Sequence, residues 1–355
     1  MSAARAQRLS ELVAVRELDA LLVTQITSVR YLTGFTGTNG LCIVGSEGEA
    51  RRFVTDFRYL EQAEAQVQGY ERAQGKQDLL GEATEGLAGR VGFEDQHVSV
   101  RQLARLEELL GDRAELVSAG GLVEELRAVK EPEELEAIRQ AATLADSIYD
   151  YLVERGLTGR TEREVVIDLE HQMRERGAED PSFPSIVACG AHGALPHASP
   201  RDEVIPAGTL VVVDMGCRVD CYCSVCTRTF ATGPLDGQMQ EVYDLVLEAQ
   251  EAALVAVTAG AQEPAVDAVA RDLISAAGYG EQFGHGLGHG VGLEVHEAPR
   301  LAPSAEGSLE AANVVTVEPG VYVPGSFGVR IEDLAVVGEN GPEVLTGFTK
   351  SLVTL

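Results

Sequence analysis

Three acidic residues interrupt apolar, strand-like runs in the second half of this chain, and they constrain its fold more than any other feature. Asp214 closes the run Leu210–Val213, Glu318 lies within VVTVEPGVY, and Glu332 lies within GVRIEDLAVV. A carboxylate in such a run costs several kcal/mol to bury unless a cation or strong hydrogen-bond donors neutralise it. One acid of this kind is commonly a salt-bridged core residue, whereas three beside a histidine-rich segment indicate a metal or catalytic site.

The histidine-rich segment is HGLGHGVGLEVHE, which supplies His285, His289 and His296. Imidazole nitrogens and carboxylate oxygens together suit Mn, Co, Fe or Zn. The same glycines are also compatible with a turn whose histidines face solvent, because short Gly/His motifs have low specificity. A further histidine, His197, lies in GALPHASP.

The first part of the chain, residues 1–125, alternates between short strand and helix patterns, which is typical of an α/β domain. We predict strands at Ala20–Val23, Leu41–Val44 and Arg51–Thr55, and helices at Arg58–Val67 and Arg101–Leu110. The segment GFTGTNG (Gly34–Gly40) is predicted as a loop, because Gly and Asn tolerate a positive φ.

The second part, residues 126–355, begins just ahead of Lys130–Pro132, since proline suits the first turn of a helix. Apolar residues between Leu135 and Leu152 recur at three- and four-residue spacing and predict a long amphipathic helix. Thr161 and Glu164 form a capping box for the next helix, and a further helix face runs from Met239 to Ala253. Strands are predicted at VVVDMG, VVTVEPGVY and FGVRIEDLAVV. The fold class is therefore α/β (α+β), in two domains.

Composition excludes several classes of partner. The chain has 28 basic and 56 acidic residues and a formal net charge of −28. Such a surface would repel a nucleic acid backbone. No apolar stretch approaches the roughly 18 residues of a membrane span, and the amphipathic start predicts no cleavable secretion signal. Six cysteines in 355 residues are too sparse for a disulfide framework, so we expect a cytoplasmic protein. The net charge and the lack of an apolar span lead us to expect no nucleic acid partner and no membrane partner.

Several motifs occur together and in a fixed order. They are SFPSIVACGAHGALPHASP, VVVDMG, CSVCTRTF, GLGHGVGLEVHEAP, VVTVEPGVY and GVRIEDLAVV, preceded by VRYLTGFTGTNG and TDFRYLEQA. This set resembles the pita-bread metallopeptidases, and more narrowly the Xaa-Pro aminopeptidase and proline dipeptidase (prolidase) family. The resemblance implies a creatinase-like N-terminal domain, a C-terminal pita-bread catalytic domain and a homodimer.

The resemblance also implies a metal site. The family binds two metal ions with two aspartates, one histidine and two glutamates. In this sequence Asp214 matches the first aspartate and His289 the histidine, while Glu318 and Glu332 match the glutamates, of which Glu332 would bridge both metals. The resemblance further implies that Glu318 helps to deprotonate the attacking water.

Other matched positions concern the substrate. His197 and His296 match the histidines that bind the peptide and stabilise the tetrahedral intermediate, so both are implied to be catalytic. His285, Tyr322 and Arg330 match supporting positions next to the ligands. Such residues orient the metal ligands and therefore affect metal binding as well.

One family ligand is missing. In YCSVCTRT (222–229), Val225 stands where the resemblance places the second aspartate, and valine cannot bind a cation. Since that aspartate bridges both metals in the family, its loss leaves one ion with His289, Glu318 and Glu332. The other would keep only Asp214 and the shared glutamate. Three protein ligands plus a water is a usual catalytic mononuclear site. We therefore expect one divalent ion per chain, which could be Mn, Co or Zn.

Four of the cysteines lie close together in the sequence, namely Cys217, Cys221, Cys223 and Cys226. Thiolates bind zinc well, so they could replace the lost aspartate. We interpret them instead as small buried residues. The reason is that the segment is predicted as strand, where positions three apart face opposite sides, whereas a zinc knuckle needs a turn.

Three functions are compatible with these residues. The first is a metal-dependent exopeptidase acting on peptides with proline at the second position. The second is a catalytically impaired pseudoenzyme that binds peptides, which Val225 favours. The third is a metal-free, creatinase-like hydrolase of small amidines, and four remaining metal ligands argue against it. We place the exopeptidase first on the chemistry of the site, because a fold alone does not fix a function.

Overall fold

The computed structural model describes residues 2–46, 48, 50–76 and 78–355. The chain divides into two compact units, Met1–Arg127 and Ala128–Leu355. The boundary predicted between residues 125 and 126 falls inside the helix Leu122–Ala128, and as a domain boundary it stays a prediction.

The first unit is an α/β domain built on one sheet. Its helices are α1 (Ser2–Val15), α2 (Ile26–Thr33), α3 (Leu60–Gln66), α4 (Leu79–Ala83), α5 (Val100–Leu110) and α6 (Leu122–Ala128). Its strands are β1 (Ala20–Val23), β2 (Gly40–Gly45), β3 (Arg51–Thr55), β4 (Glu71–Gln74), β5 (Gly89–Phe93) and β6 (Ala114–Ser118). They follow the order β4-β3-β2-β1-β5-β6, and β1 pairs antiparallel with β2 but parallel with β5. The predicted strands are confirmed; the predicted helix at Arg58–Val67 is a short 3₁₀ turn followed by α3.

The helices of the second unit follow the local sequence signals. They are α7 (Pro132–Arg155), α8 (Glu162–Glu175), α9 (Gly237–Val255) and α10 (Glu263–Ala276). The long amphipathic helix is confirmed as α7, which buries Ile138, Ile148 and Leu152. The capping box is confirmed as well, because Thr161 accepts from the Glu164 amide and the Glu164 carboxylate accepts from the Thr161 amide. Among the residues described, no helix is both long and apolar enough to cross a membrane.

The strands of the second unit pair antiparallel. They are β7 (Asp180–Pro181), β8 (Ile186–Cys189), β9 (Leu210–Met215), β10 (Cys217–Val219), β11 (Tyr222–Cys223), β12 (Cys226–Ala231), β13 (Gly288–Gly290), β14 (Glu297–Leu301), β15 (Val314–Val317), β16 (Gly320–Val323), β17 (Phe327–Arg330), β18 (Asp333–Val336) and β19 (Glu343–Val344). They form the sheets β12-β9-β8, β14-β13-β15-β18-β19 and β11-β10-β7 and the pair β16-β17. Helices and antiparallel sheets in this unit, with the α/β first unit, confirm the predicted two-domain α/β (α+β) class.

Two long segments were predicted as continuous strands, and this is wrong, because each strand is interrupted at its glutamate. VVTVEPGVY divides into β15 and β16 with Glu318 between them, since Pro319 has no N–H to donate to a ladder. FGVRIEDLAVV divides into β17 and β18, because the Glu332 amide donates to the Thr227 carbonyl at 3.1 Å instead of continuing the hairpin. Both glutamates therefore lie at strand ends.

The cysteine segment also differs from its prediction as one strand. β10 and β11 form a hairpin whose turn holds Asp220 (φ 47°) and Cys221 (φ 73°), and β12 starts only at Cys226. Cys217, Cys223 and Cys226 are buried thiols outside any disulfide. Burial raises the pKa of Cys217 to about 12 and that of Cys223 to about 11. Without a cation, these two side chains therefore stay protonated at neutral pH.

Candidate metal centre

Three of the predicted ligands, carried on or next to strands β13, β15 and β17, lie close together. β13 carries His289 and pairs with β15 through Gly290 and Val315. Glu318 follows β15, and Glu332 lies between β17 and β18. Each of His289, Glu318 and Glu332 offers one ligand atom, and these atoms all lie within 4.8 Å of one another. The fold therefore brings together one imidazole and two carboxylates from distant parts of the sequence.

The His289 ring is oriented by its own neighbourhood. Its Nδ1 lies 3.0 Å from the Gly290 carbonyl oxygen, which can only accept, so Nδ1 carries the hydrogen. Its Nε2 lies 3.2 Å from Glu318 Oε1: the protonated ring donates to this carboxylate, whereas the neutral ring has a lone pair on Nε2 that is available to a cation. The Thr316 hydroxyl accepts from the His289 amide at 3.0 Å and donates to Glu318 Oε1 at 3.3 Å. Both side chains are thus directed towards the same point.

Two carboxylate oxygens of this site are buried and have no hydrogen-bond partner among the described residues. They are Oε1 of Glu332 and Oδ1 of Asp214. The other Glu332 oxygen, Oε2, accepts from the Thr227 hydroxyl at 2.7 Å. A buried polar atom of this kind calls for a partner, and a cation would supply it. With one imidazole nitrogen nearby, the donor set suits a divalent Mn, Co or Zn ion. The residues present therefore fit a divalent metal.

Asp214, the fourth predicted ligand, is engaged elsewhere. Its Oδ2 accepts from the Arg330 guanidinium at 2.7 Å, and the three-residue group described above does not include it. The same guanidinium donates to the Thr227 hydroxyl at 3.1 Å and to the Tyr322 hydroxyl at 3.0 Å. Asp214 therefore has a fixed positive charge as its neighbour.

Burial sets the electrostatics of this group. It raises the pKa of Glu332 and of Asp214, although Arg330 partly offsets this effect at Asp214. Burial also opposes ionisation of Glu318, but the hydrogen bond and charge of His289 outweigh it and lower the Glu318 pKa to about 2. A cation among these groups would favour the ionised form of every carboxylate.

The predicted supporting residues form a chain of hydrogen bonds. His285 Nδ1 lies 2.8 Å from the Gly286 carbonyl, so it carries the hydrogen and its Nε2 accepts from the Tyr322 hydroxyl at 3.0 Å. The Tyr322 oxygen in turn accepts from Arg330. The chain runs from Arg330 through Tyr322 to His285 and fixes the orientation of all three side chains.

The two predicted substrate-binding histidines differ in their surroundings. The His296 ring centroid is 4.3 Å from that of His289. His197 is exposed, on the segment between β8 and β9. Burial, followed by the charges of His289 and His197, lowers the pKa of His296, so the three rings are electrostatic neighbours.

Val225 lies between β11 and β12 and is only 4% exposed. It belongs to an apolar cluster, here called the Val225 cluster, whose other buried members are Ile138, Cys223, Val291, Val314, Leu334 and Val336. In the sequence, Val225 lies two residues before Thr227, whose hydroxyl donates to Glu332. The position expected to hold a metal ligand is thus part of the hydrophobic core.

Several contacts of the site were not predicted from the sequence. Thr316 lies two residues before Glu318, and this period-two spacing was the available signal. Thr227 lay within a quoted motif, but only the structure reveals its hydrogen bonds to Glu332 and Arg330. His192 also lay within a quoted motif and Glu162 in none, and only the structure reveals that these two side chains contact each other.

The chain is similar to known proteins over nearly its whole length. Residues 136–339 match the model of metallopeptidase family M24, and residues 5–129 match that of the creatinase/prolidase N-terminal domain. The Xaa-Pro dipeptidase of Pyrococcus furiosus is 32% identical over 98% of this chain and 99% of its own. The structure of an Xaa-Pro dipeptidase from Bacillus anthracis has a TM-score of 0.96 at 39% identity and covers 100% of both chains. That of an X-Pro aminopeptidase from Thermotoga maritima has a TM-score of 0.86 at 36% identity, over 96% of this chain and 98% of its own. The predicted resemblance and its two-domain fold, creatinase-like and then pita-bread, are confirmed.

Proposed function

This chain belongs to metallopeptidase family M24, and we propose that it acts within this family as a metal-dependent exopeptidase on peptides with proline at the second position. The grouping of His289, Glu318 and Glu332 carries this proposal. An Xaa-Pro dipeptidase and an X-Pro aminopeptidase among the similar proteins support the substrate class. A bond to proline is a tertiary amide with a fixed φ, so it needs a dedicated site.

The proposed ion is a single Mn, Co or Zn held by His289, Glu318 and Glu332. When bound, it supplies Lewis-acid activation of the scissile carbonyl and of a water molecule. Glu318 accepts the proton of the attacking water and returns it to the leaving proline nitrogen, as a general acid–base. The Thr316 hydroxyl, which donates to Glu318 Oε1 at 3.3 Å, keeps this carboxylate in place for both proton transfers.

The remaining site residues hold the substrate or the ligands. We propose that His197 and His296 contact the peptide, since His296 lies against His289 and His197 is accessible. His285, Tyr322 and Arg330 orient the site through their hydrogen-bond chain. A homodimer in the cytoplasm, with no nucleic acid or membrane partner, completes the proposal, and the net charge of −28 supports the absence of nucleic acid.

The direct test is hydrolysis of Xaa-Pro dipeptides and of longer Xaa-Pro peptides by metal-loaded and by chelator-treated protein. Hydrolysis that needs metal, with an Xaa-Ala peptide of the same length cleaved poorly, would support the exopeptidase. The ratio between dipeptide and longer peptide would identify the preferred substrate length. Hydrolysis of a small amidine in chelator would indicate the metal-free, creatinase-like hydrolase instead.

A peptide-binding pseudoenzyme is the second candidate, because Val225 packs among apolar side chains and Asp214 is bonded to Arg330. In that case an Xaa-Pro peptide would bind without being cleaved. Calorimetry with the peptide and mass analysis of the same sample afterwards separate the two functions.

We expect no more than about one tightly held metal ion per chain, because Val225 removes a ligand from each family site and three protein ligands complete one site. Metal analysis of protein purified without chelator, with calorimetric titration by Mn²⁺ and Co²⁺, measures the ratio. Two fully occupied sites per chain would contradict this prediction and would indicate an unforeseen donor such as Cys223.

Thr227→Val should weaken metal affinity by about 10- to 100-fold, because the Thr227 hydroxyl orients Glu332 at 2.7 Å and such contacts set ligand geometry. Thr229→Val is the matched control. Thr229 lies on the same strand as Thr227, β12, and its hydroxyl donates to the Arg330 carbonyl at 2.9 Å. Each variant loses two buried hydrogen bonds, one donated and one accepted by the hydroxyl, so melting temperatures should fall alike. Equal metal affinity in the two variants, measured by calorimetry, would show that Thr227 does not act through Glu332.

A further inference from the structure

The segment that carries His197 is fastened at both of its ends by one carboxylate. Glu162, the first residue of α8, is fully buried. Its Oε1 accepts from the Cys189 amide at 3.0 Å, and its Oε2 accepts from the Arg201 amide at 2.9 Å. His192 Nδ1, from within the segment, lies 2.9 Å from Oε2. Residues 189–201 thus form a loop closed by Glu162.

The carboxylate is well supplied with donors. Besides the two amides and the imidazole, the Arg201 guanidinium donates to Oε2 from Nε at 3.3 Å. Burial opposes ionisation of Glu162, but these hydrogen bonds outweigh it and lower its pKa. An ionised acceptor forms stronger hydrogen bonds than a neutral one, so the two loop ends are held firmly.

The middle of the same loop is attached to the metal centre. The Pro196 carbonyl accepts from the Arg330 guanidinium at 3.2 Å, and that guanidinium also holds Asp214. The loop backbone at Gly193 packs against Gly328 on β17 so closely that a Cβ on Gly328 would lie 1.9 Å from the Gly193 oxygen. His197 follows Pro196, and its own side chain is exposed. Its position is therefore set by the loop backbone.

We propose that Glu162 is a positioning residue for the reaction, holding residues 189–201 so that His197 faces the peptide beside His296. This inference rests on the proposed function, in which His197 contacts the substrate. Glu162 touches neither substrate nor metal ligands and acts only through the loop. A displacement of about 1 Å in a substrate-contacting group can cost 10²-fold in rate, so a residue that fixes such a group affects catalysis strongly.

The test is a double-mutant cycle with Glu162→Gln and His197→Ala, measured as kcat/KM on an Xaa-Pro peptide. Glutamine keeps the size of the side chain but brings an NH₂ group against donors, so Glu162→Gln should lower kcat/KM by about 10-fold or more. In the His197→Ala background the same change should cost less than about twofold, because the group it positions is gone. Full, additive losses in both backgrounds would show a merely structural residue and overturn the proposal.

Glu263→Gln is the matched control. Glu263 is also a buried glutamate at the first position of a helix, α10, and accepts from the Gly307 amide. It lies outside residues 189–201, so kcat/KM should stay within about twofold in either background. Should Glu162→Gln fail to fold, His192→Ala removes one donor of the same carboxylate and should give a smaller loss with the same coupling to His197.

Hydrogen exchange gives a readout that does not depend on activity. Amides of residues 190–200 should exchange faster in Glu162→Gln than in the parent, and their exchange should be unchanged in Glu263→Gln. Unchanged exchange in Glu162→Gln would overturn the proposal even if activity fell. A parent protein that hydrolyses no Xaa-Pro peptide would refute the proposed function, while the exchange data would still decide whether Glu162 holds the loop.

Discussion

Glu318→Gln should lower the turnover of an Xaa-Pro peptide by about 100-fold or more. The change keeps the size of the side chain. However, a neutral amide cannot accept the proton of the attacking water, and as a metal ligand it supplies no negative charge. In the metal-free parent the hydrogen bond and charge of His289 lower the Glu318 pKa to about 2, and a bound cation would also favour the ionised carboxylate. Steady-state kinetics at saturating Mn²⁺ or Co²⁺ measures the effect.

Metal affinity and proton transfer must be separated in this experiment. Glu318 is a ligand as well as the base, so metal occupancy of the variant is measured in the same samples and turnover is compared at equal occupancy. Glu263→Gln serves as the control for a glutamate-to-glutamine change in the same unit, away from the site. Turnover of Glu318→Gln within about twofold of the parent at equal occupancy would refute the proposed role of Glu318.

The elements that the sequence predicted well are those specified by neighbouring residues. Helix α7 follows from apolar spacing and from Pro132 at its start, and the capping box of α8 from Thr161 and Glu164. The breaks at Glu318 and Glu332 were missed for different reasons. Pro319 was a local signal, but the amide of Glu332 bonds to Thr227, about a hundred residues earlier, and no local pattern specifies such a pairing.

The candidate site shows the same division. Motif resemblance identified His289, Glu318 and Glu332, and the fold brings these three together. Resemblance did not reveal that Arg330 binds Asp214, or that Glu162 closes the His197 loop, because both contacts join segments distant in sequence. The hairpin at Asp220 and Cys221 was missed because positive φ values are rare in residues other than glycine.

Val225→Asp should destabilise the protein in chelator and bring back a second metal ion. The parent side chain is 4% exposed within the Val225 cluster, so a carboxylate there costs several kcal/mol without a cation. Two further oxygens for a second ion are already present, because Asp214 Oδ1 and Glu332 Oε1 are buried without hydrogen-bond partners in the described part of the chain. Arg330, which holds Asp214 at 2.7 Å, is the competitor that the ion must outweigh.

Val336→Asp separates metal rescue from the general cost of burying a carboxylate. Val336 is 6% exposed and belongs to the same cluster, but it lies on β18. Both variants should melt below the parent in chelator, and only Val225→Asp should recover in Mn²⁺ or Co²⁺. Metal binding to the folded state alone stabilises that state by about 2.7 kcal/mol at a metal concentration 100 times Kd.

The metal-to-protein ratio of Val225→Asp should rise towards two. Xaa-Pro hydrolysis should rise with it, since a second cation adds a further clamp on the reacting oxygens. If Val225→Asp gains neither melting temperature nor bound metal, the site differs from its relatives by more than this one side chain. The peptide-binding function would then become the better explanation of the chain.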